Sequence, residues 1–303
     1  CSSVAARRRA RAIGPHAVIQ RQSSLHPAVA CARYGAVIAD ARPEKPVLLA
    51  SSHVVPPDPR RRLSVGVAAN LRDIDAAQAL RYRVFAGELG ARMSGRKPAR
   101  DQDLFDPWCE HLVVRDEDTD EIVGTYRVLT PERAQRLGTY YADTEFDLTR
   151  LALMRPGLCE VGRACIHPDY RTGAVISRLW QGIAALMRQH GCDHLMGCAS
   201  IGMNDGGANA VRVFRDIAPK HLAPIEYRVF PRHPLAARDD LAGEAPTGVA
   251  TVPALLKGYL RLGAWIGGEP AWDPDFNTAD LFVLLPLARL EARYARHYFR
   301  EAA

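Results

Sequence analysis

The sequence predicts a mixed α/β fold of the α+β kind: an antiparallel sheet interrupted by one strand–helix–strand unit. Three observations carry this. Apolar runs at His111–Arg115 and Ile122–Leu129 flank the polar turn Asp116–Glu121 and read as an antiparallel hairpin. Val175–His190 places Val175, Ile176, Leu179, Trp180, Ile183, Leu186 and Met187 at helical spacing, between strand-like runs at Leu158–Ile166 and His194–Ile201. The chain has 303 residues and is 48% hydrophobic, enough for one sizeable core.

Residues 1–62 are rich in Arg, Pro, Ser and Ala and read as a disordered basic tail. They hold eleven of the 40 basic residues and three of the 34 acidic ones, so they carry +8 and leave −2 on residues 63–303. The formal net charge of +6 therefore belongs to the tail. A nucleic-acid function argued from charge fails for the rest of the chain.

One domain is expected over 63–303. Leu63–Ala69 reads as a strand, and Ile74–Leu89 as a helix with Ala77, Leu80, Val84 and Phe85 on one stripe. A polar loop over 90–109 leads to the hairpin. Pro131–Leu137 reads as a short helix with proline in its first turn. The central unit turns at His167–Gly173. A helix near Asn209–Ile217 follows, then a strand at Glu226–Phe230, a helix at Pro253–Trp265, a strand at Asp280–Leu285 and a terminal helix at Leu287–Arg300. No apolar run approaches the ~20 residues that span a bilayer. Seven cysteines, without a C-x-x-C pair, argue against a zinc site or disulfide framework and suit reduced thiols in the cytoplasm.

The strand–turn–helix over Leu158–His190 would set a helix N-terminus, with its unpaired N–H groups, beside the end of a strand. That geometry is common; the residues are more telling. Glu160-Val161-Gly162-Arg163-Ala164-Cys165-Ile166-His167-Pro168-Asp169-Tyr170-Arg171-Thr172-Gly173 resembles the fourth strand and acyl-donor loop of GNAT acyltransferases. Arg81-Tyr82-Arg83-Val84-Phe85 resembles the first helix of one GNAT branch, which holds acyl-homoserine-lactone synthases and the N-acyltransferases that make lyso-ornithine lipid. That branch has an acidic cluster after the helix, matched by Asp101, Asp103 and Asp106. It has an Arg in the third strand, matched by Arg127, and a Glu and Arg three apart in the fourth, matched by Glu160 and Arg163. Arg171-Thr172-Gly173-Ala174-Val175 and the run Ala279–Pro286 resemble the ornithine acyltransferases within the branch.

The resemblance implies a GNAT, acyl-CoA N-acyltransferase-like fold. It implies transfer of a 3-hydroxyacyl group from acyl carrier protein to the α-amino group of L-ornithine, giving lyso-ornithine lipid for ornithine lipid biosynthesis. Acyl carrier protein and L-ornithine would be the partners. No resident cofactor or metal is expected, because the phosphopantetheine thioester enters as donor substrate. Glu160 and Arg163 would be catalytic. Arg81, Phe85, Asp101, Asp103, Asp106 and Arg127 would bind substrate, and Arg171, Thr172, Gly173 and Ala174 would form the donor loop. A cytoplasmic protein is expected, with peripheral contact to the inner membrane face through the tail or the amphipathic 253–266 stretch.

Chemistry refines some of these roles and leaves others open. Aminolysis of a thioester needs a neutral amine, and Glu160 is the candidate base. Alternation puts residues three apart on opposite strand faces. A bulge near Val161-Gly162 would bring Glu160 and Arg163 together and turn a backbone N–H toward the thioester oxygen. The other reading of the pair is a structural ion pair. Asp101, Asp103 and Asp106 read either as a solvated loop beside Arg92, Arg96, Lys97 and Arg100, or as carboxylates that receive the ammonium groups of a cationic amino acid. Ile176 stands where the GNAT loop has a small residue, which disfavours coenzyme A pyrophosphate and favours a carrier-protein donor. An acyl-homoserine-lactone synthase remains an alternative, weakened by Gly90-Ala91-Arg92 where that family has a Trp. A coenzyme A-dependent acetyltransferase and a non-catalytic carrier-protein or lipid-binding module are the others. His111 and Asp116 spell H-x4-D, but on a strand they face opposite ways. Cys159 and Cys165 read as buried thiols.

Overall fold

In the computed structural model, residues 61–93, 95, 97–237 and 248–290 are described. The expected tail, up to residue 60, and the expected terminal helix beyond residue 290 lie outside them.

The main sheet has eight strands in the order β1-β2-β3-β5-β6-β10-β8, with β9 paired to β10. β1 (Leu63–Val67), β2 (Glu110–Asp116) and β3 (Glu121–Leu129) form an antiparallel meander that pairs with β5 (Leu158–Ile166). β5 and β6 (His194–Gly202) are parallel, and α4 (Ala174–Gln189) crosses between them. β10 (Thr278–Pro286) runs antiparallel to β6 along nine residue pairs. The short strands β8 (Trp265–Ile266) and β9 (Ala271–Asp273) close that side.

Alternation sorts the strands into two faces. Tyr126, Val128, Cys159, Val161, Leu195, Ala199, Leu281 and Val283 point to a core shared with Val175, Leu179, Ile183 and Met187 of α4. The same core takes the apolar side of α5 (Ala208–His221) and Leu256, Tyr259 and Leu262 of α6 (Ala254–Leu262). The amphipathic stretch near 253–266 therefore spends its apolar face on the interior. On the opposite face Leu129, Leu158, Met196, Phe282 and Leu284 pack with Tyr140, Phe146 and Leu151. Those residues come from the segment holding α2 (Pro131–Leu137), α3 (Ala142–Glu145) and β4 (Phe146–Asp147).

Two expectations are corrected. The first helix, α1 (Leu71–Tyr82), opens on Asn70, whose side chain accepts from the Asp73 N–H, but ends early. Arg83–Glu88 continues as a π-helical turn. The strand expected at Glu226–Phe230 is a 3₁₀ turn at Ile225–Tyr227, then the two-residue β7 (Phe230–Pro231), which pairs with β4 rather than with the main sheet. Pro231 has no N–H to continue a ladder. No helix among the described residues is long and apolar enough to cross a membrane.

Candidate active site

β5 and β6 pair only at Leu158–His194, Cys159–Leu195 and Glu160–Met196, and then part. Gly197 sits at the parting point. A Cβ there would overlap the Val161 carbonyl oxygen, so glycine is what lets the strands approach this closely before they diverge. Beyond the parting lies a cavity of about 230 Å³. Alternation aims its wall residues: Arg127 on β3, Glu160 on β5, Cys198 and Ser200 on β6, Thr278 and Asp280 on β10 all lie opposite α4. An adjoining hollow of about 390 Å³ shares Phe105, Tyr141, Arg163, Asp273 and Phe276 and adds Asp103 and Glu145.

Arg163 joins this wall through a bulge. Thr125 pairs with Cys165 and Arg127 with Gly162, which leaves one extra residue in β5. Arg163 itself takes the left-handed conformation, φ 54°, unusual for a non-glycine residue. The bulge lies one to two residues beyond the expected Val161-Gly162. Its effect is the expected one, since Glu160 and Arg163 line the same cavity. They do not pair with each other. The Glu160 carboxylate accepts the backbone N–H of Tyr141 at 2.8 Å and of Ala142 at 2.7 Å, at the start of α3. Burial outweighs those hydrogen bonds and pushes its pKa up to about 7.

The three aspartates close a ring with three arginines. Arg81 Nε lies 2.9 Å from Asp101, which is 3.3 Å from Arg163 Nε. Arg163 is 3.2 Å from Asp103, and Asp103 is 2.6 Å from Arg127. Arg127 is 3.7 Å from Asp106, and Asp106 is 2.8 Å from Arg81. Six alternating charges thus sum to zero within a mostly buried cluster. Burial raises the pKa of Asp103, but Arg127 and Arg163 overcome it and hold the carboxyl at about 2. This corrects two expectations. The aspartates pair with arginines, and Asp101 and Asp106 are buried, so they do not form a solvated loop. The paired cations are Arg81, Arg127 and Arg163, not the loop residues Arg92, Lys97 or Arg100. Arg81 is fully buried, spends its guanidinium on Asp101 and Asp106, and is not a cavity wall. Its contacts hold Asp101 and Asp106 in the ring.

Phe85 lines the cavity from the π-helical turn and meets Phe276 edge-on at 5.9 Å. The Arg163 guanidinium lies 4.4 Å from the Phe276 ring centre and 4.8 Å from that of Tyr141. Arg171, Thr172, Gly173 and Ala174 form an exposed turn at the N-terminus of α4, where Gly173 is left-handed at φ 93°. Arg171 pairs with Glu88 at 2.8 Å. Ile176 packs against the core, so its side chain alone does not decide between donors.

His111 and Asp116 are separated as alternation requires. His111 Nε2 meets the Asp106 carbonyl at 3.0 Å, while Asp116 accepts from the Tyr170 hydroxyl at 2.8 Å. A hydrogen bond to Cys192 and burial push the Cys159 thiol up, and burial pushes Cys165 up to about 12. Tyr141, Glu145, Asp273, Phe276 and Asp280 escaped sequence reasoning. Asp280 had a signal: it is the acidic residue in the otherwise apolar run Ala279–Pro286. Asp273 and Glu145 had none.

Residues 80–181, which hold the parting strand β5, its acid and arginines and the start of α4, match the family described as "Acetyltransferase (GNAT) domain". The L-ornithine N(alpha)-acyltransferase of Brucella abortus (strain 2308) is 38% identical, over 79% of this chain and 90% of the relative. That of Agrobacterium fabrum is 37% identical, over 79% and 86%. The chain belongs to the L-ornithine N(alpha)-acyltransferase family. Among solved structures, an N-acyl amino acid synthase from uncultured soil microbes covers 78% of this chain and 97% of its own, at 10% identity and a TM-score of 0.45.

Proposed function

We propose that this chain acylates the α-amino group of L-ornithine with a 3-hydroxyacyl group drawn from the phosphopantetheine thioester of acyl carrier protein, giving lyso-ornithine lipid. Membership of the ornithine acyltransferase family supports the acceptor. The observation that carries the chemistry is the cavity in which Glu160, Arg127 and Arg163 converge at the parting of β5 and β6.

The α-ammonium must lose one proton before it attacks the thioester carbon and a second as the amide forms. Glu160, with its pKa near 7, takes the proton directly or through water. The C–N bond forms, the tetrahedral intermediate collapses, and the C–S bond breaks to release the thiol, which takes up a proton. Backbone N–H groups of β5 beyond Glu160, freed from β6, are the donors available to the thioester oxygen. Arg127 and Arg163 line the cavity, and the guanidinium N–H groups not used on Asp101 and Asp103 suit the acceptor's α-carboxylate. The turn Arg171–Ala174 meets the donor's phosphodiester at the start of α4. The donor therefore arrives as a substrate, and the product, an amphiphile, suits a protein that works against the inner membrane face.

The test mixes purified full-length protein with 3-hydroxyacyl carrier protein or acyl-coenzyme A and with L-ornithine, L-lysine or S-adenosylmethionine, and seeks acyl-amides by mass spectrometry. Acyl-ornithine formed from the carrier protein supports the reading. Product from coenzyme A alone, or with another amine only, overturns the donor or the acceptor. Carrier-protein binding without product would point to a non-catalytic module.

A further inference from the structure

The cavity has a second acidic wall. Glu145 at the end of α3, Asp273 in β9 and Asp280 in β10 bring carboxylate oxygens within 4.8 Å of one another. Asp273 and Asp280 are buried and line the same cavity as Glu160, Arg127 and Arg163. Their hydrogen-bond donors are neutral, and Arg163 acts on Glu145 and Asp280 only from beyond ion-pair distance. Asp280 accepts from the Thr278 hydroxyl at 3.0 Å, and Asp273 accepts the backbone N–H of Asp275 at 2.8 Å and of Phe276 at 3.1 Å. The Tyr141 hydroxyl is 3.5 Å from Glu145.

The contrast with the ring is informative. Asp101, Asp103 and Asp106 each lie within 3 Å of an arginine nitrogen. Among the described residues, no Lys or Arg nitrogen reaches ion-pair distance of Glu145, Asp273 or Asp280. Both arginines that line the same cavity have their ion pairs elsewhere, Arg163 with Asp101 and Asp103 and Arg127 with Asp103. Buried carboxylates without a counter-cation are costly. Burial and mutual repulsion push Glu145 up to about 8 and Asp280 up to about 6. A cavity that a cationic substrate must enter, with a wall short of positive charge, is complementary to that substrate.

We infer that Asp280, with Asp273 and Glu145, receives the side-chain ammonium of a diamino-acid acceptor and so selects it over an amino acid with an apolar side chain of the same length. The inference rests on the acyltransferase reading above. β6 stands between Glu160 on β5 and Asp280 on β10, so base and acidic wall address different ends of the acceptor. An ammonium held among carboxylates keeps its proton. It has no lone pair to attack a thioester. The same contacts that select the side chain therefore protect its amine from acylation and direct the acyl group to the α-amine.

The test uses the full-length protein with a 3-hydroxyacyl donor, and compares L-ornithine with L-2-aminopentanoate, the same carbon chain without the terminal amine. The wild-type protein should prefer ornithine by about 10–100-fold in kcat/KM, the scale of one charge-assisted contact. In Asp280→Asn and in Asp273→Asn that ratio should fall toward one, chiefly through KM for ornithine, and tandem mass spectrometry should detect acylation of the side-chain amine. Equal use of both acceptors by the wild-type protein overturns the inference and needs no variant. So does a ratio that stays unchanged in a folded Asp280→Asn while both activities fall, since that marks a structural role. Turnover abolished by a chelator and restored by a divalent ion would give the carboxylates to a metal and overturn it too. A wild-type protein that acylates neither acceptor removes the acyltransferase reading and the inference with it, a failure distinct from equal use.

Discussion

Replacing Glu160 by Gln changes one oxygen to an amide nitrogen in a sealed setting. The carboxylate accepts two backbone N–H groups, from Tyr141 and Ala142, one on each oxygen. Glutamine can accept only one of them, so the other N–H faces a donor. That mismatch should cost about 1–3 kcal/mol of stability, visible in a denaturant titration. The kinetic loss should be larger and separable from it. Removal of a positioned base costs about 10²–10⁴ in kcat, while KM for ornithine should move little, because Arg127 and Arg163 remain. The sign of the pH dependence follows from a pKa near 7. The base form gains population as pH rises, so wild-type kcat should climb by roughly tenfold per pH unit below 7 and level off above. Asp280, near 6, and Glu145, near 8, titrate in the same window. The part of the profile due to Glu160 is therefore the limb that disappears in Glu160→Gln and persists in Asp280→Asn. A folded Glu160→Gln protein with kcat within about threefold of wild type, and with the rising limb intact, would refute the assignment. The carboxylate would then serve only to hold the start of α3.

Other outcomes follow from the same geometry. Arg81→Met should remove about 3–5 kcal/mol, because Asp101 and Asp106 stay buried without their shared cation; equilibrium unfolding of the two proteins measures it, and a loss under 1 kcal/mol would mean the ring tolerates a gap. Gly197→Ala should cost about 1–3 kcal/mol by forcing its Cβ against the Val161 carbonyl, and it should lower activity beyond that of a matched, equally destabilised core variant, since it wedges the strands at the cavity. Asp280 has a folded pKa raised from 3.8 to about 6, so the folded form binds the extra proton and stability is lost as pH rises through 6. Asp280→Asn should therefore gain on wild type by up to about 3 kcal/mol at pH 8 and by nothing near pH 3.5; melting curves at the two pH values decide it, and a gain independent of pH would contradict the buried charge.

Much of the fold was legible because its signals are local. The limits of β5, of α2 and, within a residue or so, of α4 follow from alternation, from proline at a first turn and from apolar spacing, all dictated by covalent geometry along the chain. The two-residue strands β4, β7 and β8 left no pattern long enough to read, and the π-helical turn at Arg83–Glu88 still looks helical by spacing. At the site, Glu160, Arg163 and Arg127 were legible as a motif, and the need for a bulge followed from the three-residue separation of Glu160 and Arg163. The identities of the aspartates were legible, but their function was not.

What the sequence by itself determined was the order of elements, the family and the residue types that chemistry requires. Only the tertiary structure decided which charges meet. Asp101 and Arg163, or Asp103 and Arg127, lie far apart along the chain, and nothing local says that they pair and cancel. Nor does anything local say that Glu145, Asp273 and Asp280 converge, with no Lys or Arg among the described residues at ion-pair distance. Charge neutralisation depends on distance through a packed, poorly polarisable interior, where a few ångströms separate a spent carboxylate from one that still attracts an ammonium. That distance is set by how α1, the 90–109 loop, β5 and β10 pack, and it exists only once they have.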